Sequence, residues 1–252
     1  MHTLRIISTI TFIVVQFQLL AQTRYDPQKK FEVEQLQKDF KLLRNVLEEV
    51  HPGLYRYSSK ETIDSLFNSA YNQIISPMTE IEFYRIINRM VTAVRDEHTF
   101  ALPSKAYWDS QIGQTVYDNS VDGGKDLLFP FFIRIIDNRL YIDNNLNDDL
   151  SLKRGDEILQ INGQTAQKVL EILLPTIHTN GYIETFKKRN LEQFSMHQTY
   201  NRFIVHYALF IGMPDTFSLR IKRYANNQIE TVKVAALTSK LFTSIIGGVI
   251  PH

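Results

Sequence analysis

The sequence contains no cysteine among its 252 residues. Disulfide bonds, cysteine nucleophiles and cysteine-ligated zinc sites are therefore excluded. Glycine and proline are scarce, with 10 and 8 residues, which excludes collagen-like and low-complexity chains. No charge of one sign dominates, because 28 Lys and Arg stand against 27 Asp and Glu. Without a strong net charge to attract phosphates, we expect no nucleic-acid partner.

The composition is typical of a folded protein, with 44% hydrophobic and 22% charged residues. At roughly 150 residues per domain, a chain of this length forms one or two domains with substantial cores. It contains no internal repeat, no heptad run and no low-complexity tract. We therefore expect a globular protein.

Residues 1–21 have the pattern of a secretory signal peptide. One positive charge precedes an apolar run that ends at Ala21, so that Gln22 would begin the mature chain. A transmembrane anchor is the alternative, but Gln16 and Gln18 interrupt a run already shorter than the about 20 residues that a span needs. We expect an exported bacterial protein, periplasmic or extracellular, with no stable membrane insertion after cleavage.

Three amphipathic helices are predicted in the first part of the mature chain. Their starts are indicated by three pairs of capping residues: Asp26 with Pro27, Ser58 with Glu61, and Thr79 with Glu82. The first helix is expected to end at His51, because the following Pro52 disfavours helical geometry in its predecessor. The third is expected to extend to Arg95. Three helices with short connections favour a small bundle, which predicts a helical N-terminal domain over residues 26–110.

The second half of the mature chain has the alternation typical of short strands joined by tight turns. The predicted strands and turns are Phe132–Ile136, Asp137-Asn138-Arg139, Leu140–Ile142, Asn162-Gly163, Phe217–Tyr224 and Ile229–Ala235. Thr165 is expected to cap a helix that stops at Pro175. A helical insertion over about residues 180–211 interrupts the strands, and its aromatic residues are expected to join the core. The fold class predicted is α+β.

Four short stretches of the sequence together resemble a known enzyme family. They read Glu-Val-His-Pro-Gly-Leu-Tyr from Glu49, Met-Thr-Glu from Met78, Asp-Glu-His-Thr from Asp96, and Leu-Lys-Arg-Gly-Asp-Glu-Ile-Leu-Gln-Ile-Asn-Gly from Leu152. The last resembles the signature of bacterial PDZ domains. Together they resemble the N-terminal portion of the tail-specific, or C-terminal-processing, serine proteases, in the branch related to the tricorn protease core. The resemblance extends from about Leu36 to Ala235.

The resemblance implies a helical domain, a PDZ-like domain over residues 125–237 and then an α/β catalytic domain that supplies a serine nucleophile. Residues 238–252 would be a truncated linker. In the related branch a histidine acts as general base, and the matching residue here is His98, although Glu97 stands where the family usually has glycine. The alternative interpretation is that His98 is a charged residue that closes the preceding helix.

No nucleophilic serine motif is recognisable in the sequence. Gly-x-Ser-x-Gly is absent, and Ser244 lacks the strand-to-helix context of such an elbow. His197 and His206 are nine residues apart, a poor spacing for a metal site on one helix, so we expect neither a metal nor a cofactor. The leading hypothesis is therefore the front part of an exported serine peptidase, with the catalytic domain missing and no activity alone.

The alternative function is that of a standalone exported PDZ-like module that binds a peptide or an unfolded protein chain. Such domains add an extended peptide to a sheet edge and hold its terminal carboxylate with backbone amides. The segment with the corresponding position contains Phe131, Phe132 and Ile133, preceded by Pro130, which lacks an N–H group. These three residues are the candidate peptide-binding residues, and filling of the core is the competing role for Phe131 and Phe132. The oligomeric state is not predicted.

Overall fold

The computed structural model describes residues 25–112, 127–147, 151–192 and 202–237. The expected signal peptide, the linker from residue 238, His197 and Ser244 lie outside the described residues. Within them the protein is a mixed α+β structure, as the sequence predicts. The helices are α1 (Val33–Val50), α2 (Lys60–Tyr71), α3 (Glu80–Ala93), α4 (Lys105–Tyr107), α5 (Ala166–Leu173), α6 (Glu184–Glu192) and α7 (Arg202–Phe210).

The strands form one small and one large antiparallel sheet. The small sheet pairs β1 (Lys30–Phe31) with β2 (Met78–Thr79). The large sheet has the order β3-β4-β5-β7-β8, with β6 paired to β5. Its strands are β3 (Phe131–Ile136), β4 (Arg139–Asn145), β5 (Glu157–Ile161), β6 (Gln164–Thr165), β7 (Thr216–Lys222) and β8 (Ile229–Ala235). Along the described path, β3 and β8 are therefore the outer strands.

The first three helices share one apolar cluster, to which each contributes one face. Its most deeply buried members are Phe40 of α1, Ile63 and Phe67 of α2, and Ile74 in the following turn. Phe40 and Phe67 meet edge to face, with ring centroids 6.2 Å apart. Such edge-to-face pairs add packing energy beyond that of buried area alone.

The structure corrects two of the predicted helix starts. Helix α1 begins at Val33 rather than near Asp26, because Lys30 and Phe31 pair with β2 and cannot also be helical. Asp26 instead accepts a hydrogen bond from the backbone N–H of Gln28, which makes a local turn. The cap of α2 is the hydroxyl of Ser59, which accepts from Thr62, and not that of Ser58.

The other end signals of these helices are mostly confirmed. Thr79 and Glu82 form the complete reciprocal capping box of α3, and His51 is the C-terminal cap of α1. Helix α3, however, ends at Ala93, two residues before Arg95. Arg95 has a left-handed backbone with φ of 65°, a conformation that ends the helix and turns the chain.

The turns of the large sheet have the conformations that their residue types favour. Asp137 and Asn138 both have positive φ between β3 and β4, and so do Asn162 and Gly163 between β5 and β6. Positive φ at both central positions matches the right-handed twist of paired strands. Thr165 caps α5, which stops at Leu173 before Pro175, as predicted.

The core of the large sheet lies beneath α5 and α7. Aromatic rings from the strand segments and from α7 meet there, with the ring centroid of Phe129 lying 5.4 Å from that of Phe203 and 5.1 Å from that of Phe217. The aromatic residues of α7 thus belong to the core, as expected for the helical insertion.

Helix α3 joins the helical region to the large sheet through side chains that donate to backbone carbonyl groups. Asn88 Nδ2 donates to Thr176, Thr92 Oγ1 donates to Pro175, and Arg85 Nε donates to Leu209. Asn88 and Thr92 are buried, and a buried polar group that lost its partner would cost about 1–3 kcal/mol. These bonds fix the orientation of α3 against the segment after α5 and against α7.

His206 of α7 contacts the same loop. Its Nδ1 lies 2.7 Å from Thr176 Oγ1, and that hydroxyl donates its only hydrogen to Leu173 O. His206 Nδ1 must therefore carry a proton and donate to Thr176. Burial, with smaller contributions from Arg202 and His178, lowers the pKa of His206 to about 3.

We expect this buried imidazole to make the protein less stable in mild acid. The folded pKa lies below the unfolded value of about 6.5, so the stabilisation is present above pH 6.5 and is lost as the pH falls toward 3. Between pH 7.5 and 5 the loss from this group should reach at most about 2 kcal/mol, since one proton corresponds to about 1.4 kcal/mol per pH unit.

His206→Asn keeps an amide donor near the position of Nδ1 but does not titrate. Urea unfolding at the two pH values should show a smaller pH dependence for this variant than for the unaltered chain. Equal pH dependence in both proteins would show that His206 takes up its proton as readily in the folded protein as in the unfolded one.

Candidate functional site

A cleft of about 650 Å³ opens where the end of α1, the turn after α3 and the loop after α5 meet. Its walls combine imidazole, carboxylate, guanidinium, amide and phenol groups. The lining residues are His51, Pro52, Gly53, Leu54, Tyr55, Arg56, Tyr57, Asp96, His98 and Asn180. Two of the stretches that carry the family resemblance, which begin at Glu49 and Asp96, thus come together in one place.

His51 is held on the cleft wall by hydrogen bonds at both ring nitrogens. Its Nδ1 accepts from the backbone N–H of Gly53 at 3.1 Å, a bond that the Pro52 turn makes possible. Its Nε2 lies 2.8 Å from Thr99 Oγ1 and 3.2 Å from Asp96 Oδ2. Only 8% of its side chain is exposed, so the ring is fixed in place.

Asp96 uses both carboxylate oxygens. Oδ1 accepts the backbone N–H of His98 at 2.9 Å, and Oδ2 lies near the Thr99 hydroxyl and the His51 ring. The bond from the His98 amide is the largest cause of a lowered pKa at Asp96, and the nearby His51 and Thr99 lower that pKa further. The carboxylate is therefore ionised at neutral pH.

His98, the residue implied as general base, lies in the loop five residues after the last residue of α3. Its side chain is 83% exposed on the rim of the cleft, and its Nδ1 lies 3.5 Å from Asp96 Oδ1. A carboxylate on the Nδ1 side leaves the other ring nitrogen, Nε2, available to take a proton from a hydroxyl group.

Glu97, which stands where the resembling sequences usually have glycine, fits the local backbone. Among the described residues outside glycine, the left-handed conformation in this loop belongs to Arg95 and not to Glu97. The backbone N–H of Glu97 donates to Asn180 Oδ1 at 3.2 Å. A side chain at position 97 therefore meets no obstacle from backbone geometry.

The loop after α5 closes one side of the cleft and is attached at several points. The backbone N–H of Gly181 donates to Arg95 O at 2.9 Å, and the hydroxyl of Tyr182 donates to Tyr57 O at 2.7 Å. The guanidinium group of Arg95 lies 3.8 Å from the ring centroid of Tyr182, a cation–π contact. This loop also carries Asn180, so it links the large sheet to the cleft.

The three candidate peptide-binding residues lie in β3, which is at one end of the strand order of the large sheet. Phe131 and Ile133 are fully buried in the core, while Phe132 is partly buried. The outer edge of β3 is already engaged, because Glu192 Oε1 accepts the backbone N–H of Ile135 at 2.5 Å. A peptide strand would have to displace this carboxylate at that point, and peptide binding here stays a prediction.

Sequence reasoning identified His98 but did not assign a role to His51, Asp96 or Asn180. The sequence did contain a signal for His51, which precedes Pro-Gly in the stretch that begins at Glu49. It also contained one for Asp96, which lies two residues before His98. Asn180 gave no signal, because it belongs to the loop after α5 and reaches the cleft only through the docking of that loop.

The described residues contain neither a metal-binding cluster nor a membrane-spanning helix. No cluster of three or more histidine, aspartate or glutamate side chains there could hold a metal ion. None of the helices in the described ranges combines the length and the apolar character that crossing a membrane requires.

The fold resembles part of a solved protease. No family model matches the sequence, and no curated protein matches it. The structure is similar to those of a mutant of CPAF, a chlamydial serine protease, and of mature CPAF complexed with lactacystin. Both matches have a TM-score of 0.51 and cover 81% of this chain and 34% of the other, at 15% and 14% identity. The chain thus spans about a third of the length of these relatives, and the likeness concerns the fold.

Substitution of Gly181 tests the attachment of the loop to the cleft. Gly181 and Gly163 both have positive φ, of 64° and 79°, so alanine strains the backbone by a similar amount at each, about 1–2 kcal/mol. An added Cβ at position 181 would lie 3.1 Å from Tyr57 Cε1, whereas nothing lies within 4 Å at position 163. We expect Gly181→Ala to cost about 1 kcal/mol more than Gly163→Ala in urea unfolding.

Proteolysis provides a second readout of the same substitution. Gly181→Ala should make the 178–183 loop more susceptible to cleavage, and Gly163→Ala should not. Equal stability and equal cleavage of the two variants would contradict a close packing of this loop against Tyr57.

Proposed function

We propose that the protein is the helical and PDZ-like part of an exported serine peptidase of the tail-specific family, in the branch related to the tricorn core. His98 is the general base of the reaction. The serine that it activates belongs to a catalytic domain beyond the residues described. The observation that carries the proposal is the placement of His98 on an open cleft beside an ionised carboxylate.

The chemistry requires a base next to a hydroxyl. A serine hydroxyl is a weak nucleophile until a neighbouring group takes its proton, and an imidazole with a carboxylate on its far side is suited to this. The 83% exposure of His98 fits a base whose partner approaches from outside the described part of the chain. The likeness to about a third of CPAF is compatible with a division of the active site between two domains.

Covalent labelling tests the role of His98. The protein is purified from the cells that produce it, together with whatever is bound to it, and treated with a fluorophosphonate probe. We expect a labelled serine outside residues 25–237, and we expect His98→Ala to reduce its labelling rate at least about a hundredfold, the usual contribution of a general base.

The control variant is His178→Ala. His178 stacks on Phe100, with ring centroids 5.7 Å apart, close to the cleft but not part of its wall. This variant should label at a nearly unaltered rate. Labelling of a serine within the described residues, or labelling that is indifferent to His98, would refute the proposal.

Export is a separate part of the proposal, and it rests on the signal-like pattern of residues 1–21. Expression of the full reading frame in a bacterial host should give a periplasmic product whose first residue is Gln22, as read by N-terminal sequencing. Ala21→Lys should block this cleavage, because the processing site requires a small residue. A product that retains Met1 in the cytoplasm would contradict export.

A further inference from the structure

We propose that Asp96 positions the His98 imidazole for catalysis and that His51 in turn holds Asp96 in place. The inference rests on the proposed role of His98 as a base. It assigns functions to two residues that the family resemblance leaves without any, and it connects His51 with Asp96, 45 positions further along the sequence.

The protonation of His51 follows from its contacts. Because Nδ1 accepts the Gly53 N–H, it carries no hydrogen in the neutral ring, and the hydrogen must be on Nε2. That hydrogen points to Thr99 Oγ1 at 2.8 Å, with Asp96 Oδ2 at 3.2 Å. His51 is therefore a donor on the side that faces Asp96.

The Thr99 hydroxyl also donates a hydrogen bond toward Asp96. Its hydroxyl accepts from His51 and has one hydrogen left, which it can give to Asp96 Oδ2 at 3.4 Å. Oδ2 thus faces two donors, and neither His51 nor Thr99 requires Asp96 to donate. The carboxylate is held on this side as an acceptor only.

The other oxygen of Asp96 faces His98. Oδ1 accepts the backbone N–H of His98 at 2.9 Å, which sets the turn, and it lies 3.5 Å from the Nδ1 atom of the same residue. The negative charge of a carboxylate 3.5 Å from Nδ1 favours the tautomer with hydrogen on that nitrogen. The unprotonated Nε2 is then the atom that can accept a proton from substrate-side groups.

The burial of the three groups supports this division of roles. The His51 side chain is 8% exposed, that of Asp96 is 31% exposed and that of His98 is 83% exposed. The donors that fix the carboxylate are inside, and the base that it orients is outside. The carboxylate is thus fixed from the interior, and the ring beside it stays open to a partner group.

The tautomer of His98 is measurable on the isolated chain by nitrogen NMR of the imidazole at about pH 9, above the usual histidine range. We expect the Nδ1–H form to predominate. Asp96→Asn should lower its population at least twofold, because an amide has one acceptor oxygen where the carboxylate supplies two, one to His51 and Thr99 and one to His98. Asp96→Glu should restore part of it.

Two control variants separate positioning from folding. Glu97→Gln removes the same charge from the adjacent residue and should leave the tautomer unaltered. His51→Gln keeps a donor near the position of Nε2 and should lower the Nδ1–H population less than Asp96→Asn does. Amide spectra of each variant show whether it is folded. If Asp96→Asn does not fold, the tautomer of His98 is measured instead in the unaltered chain and in Thr99→Val, which lacks the hydroxyl that donates to Asp96.

A His98 ring that favours the Nε2–H form in the unaltered chain would overturn the positioning role, and so would an equal effect of Glu97→Gln and Asp96→Asn. Neither result depends on a serine, so the test fails or succeeds independently of the labelling experiment. If His98→Ala does not change the labelling rate, His98 is not the general base, whereas the tautomer measurement remains valid.

Discussion

The cleft depends on one carboxylate that serves two parts of the chain. Asp96 Oδ1 closes the turn that presents His98, while Asp96 Oδ2 faces His51 and Thr99. Together with the contact between His51 Nε2 and Thr99 Oγ1, this carboxylate connects the end of α1 to the loop after α3. Because a charged acceptor forms stronger hydrogen bonds than a neutral one, this residue stabilises the cleft more than its modest burial suggests.

The cleft in turn depends on the attachment of α3 to the large sheet. Asn88 and Thr92 bind the carbonyl groups of the segment that follows α5, and the same segment continues into the loop that carries Asn180. A shift of α3 against the sheet would move Arg95 and Gly181 apart and open the cleft wall. The geometry around His98 therefore depends on the stability of the junction between α3 and the large sheet, although the residues involved are far apart in the sequence.

The sequence predicts most of the local structure but little of the tertiary packing. The capping box of Thr79 and Glu82 and the Asn162-Gly163 turn depend on neighbours within a few residues, and both are present. The start of α1 was misplaced because a β pairing with residues 78 and 79, nearly fifty positions away, competes with the Asp26-Pro27 signal. His51 and Asn180 could not be placed in the site for the same reason, since only tertiary packing brings His51 to Asp96 and Asn180 to Glu97.

The β3 edge and the cleft differ in the groups that they leave open. At β3, Glu192 accepts the N–H of Ile135 and also pairs with Arg134 and Arg189, so the protein's own carboxylate occupies this edge at that point. At the cleft, His98 is open, and Tyr55, Phe100 and Tyr182 expose apolar surface on the segments that surround it. The cleft therefore offers an open imidazole with exposed aromatic side chains nearby, whereas the backbone N–H of Ile135 at β3 is already bonded.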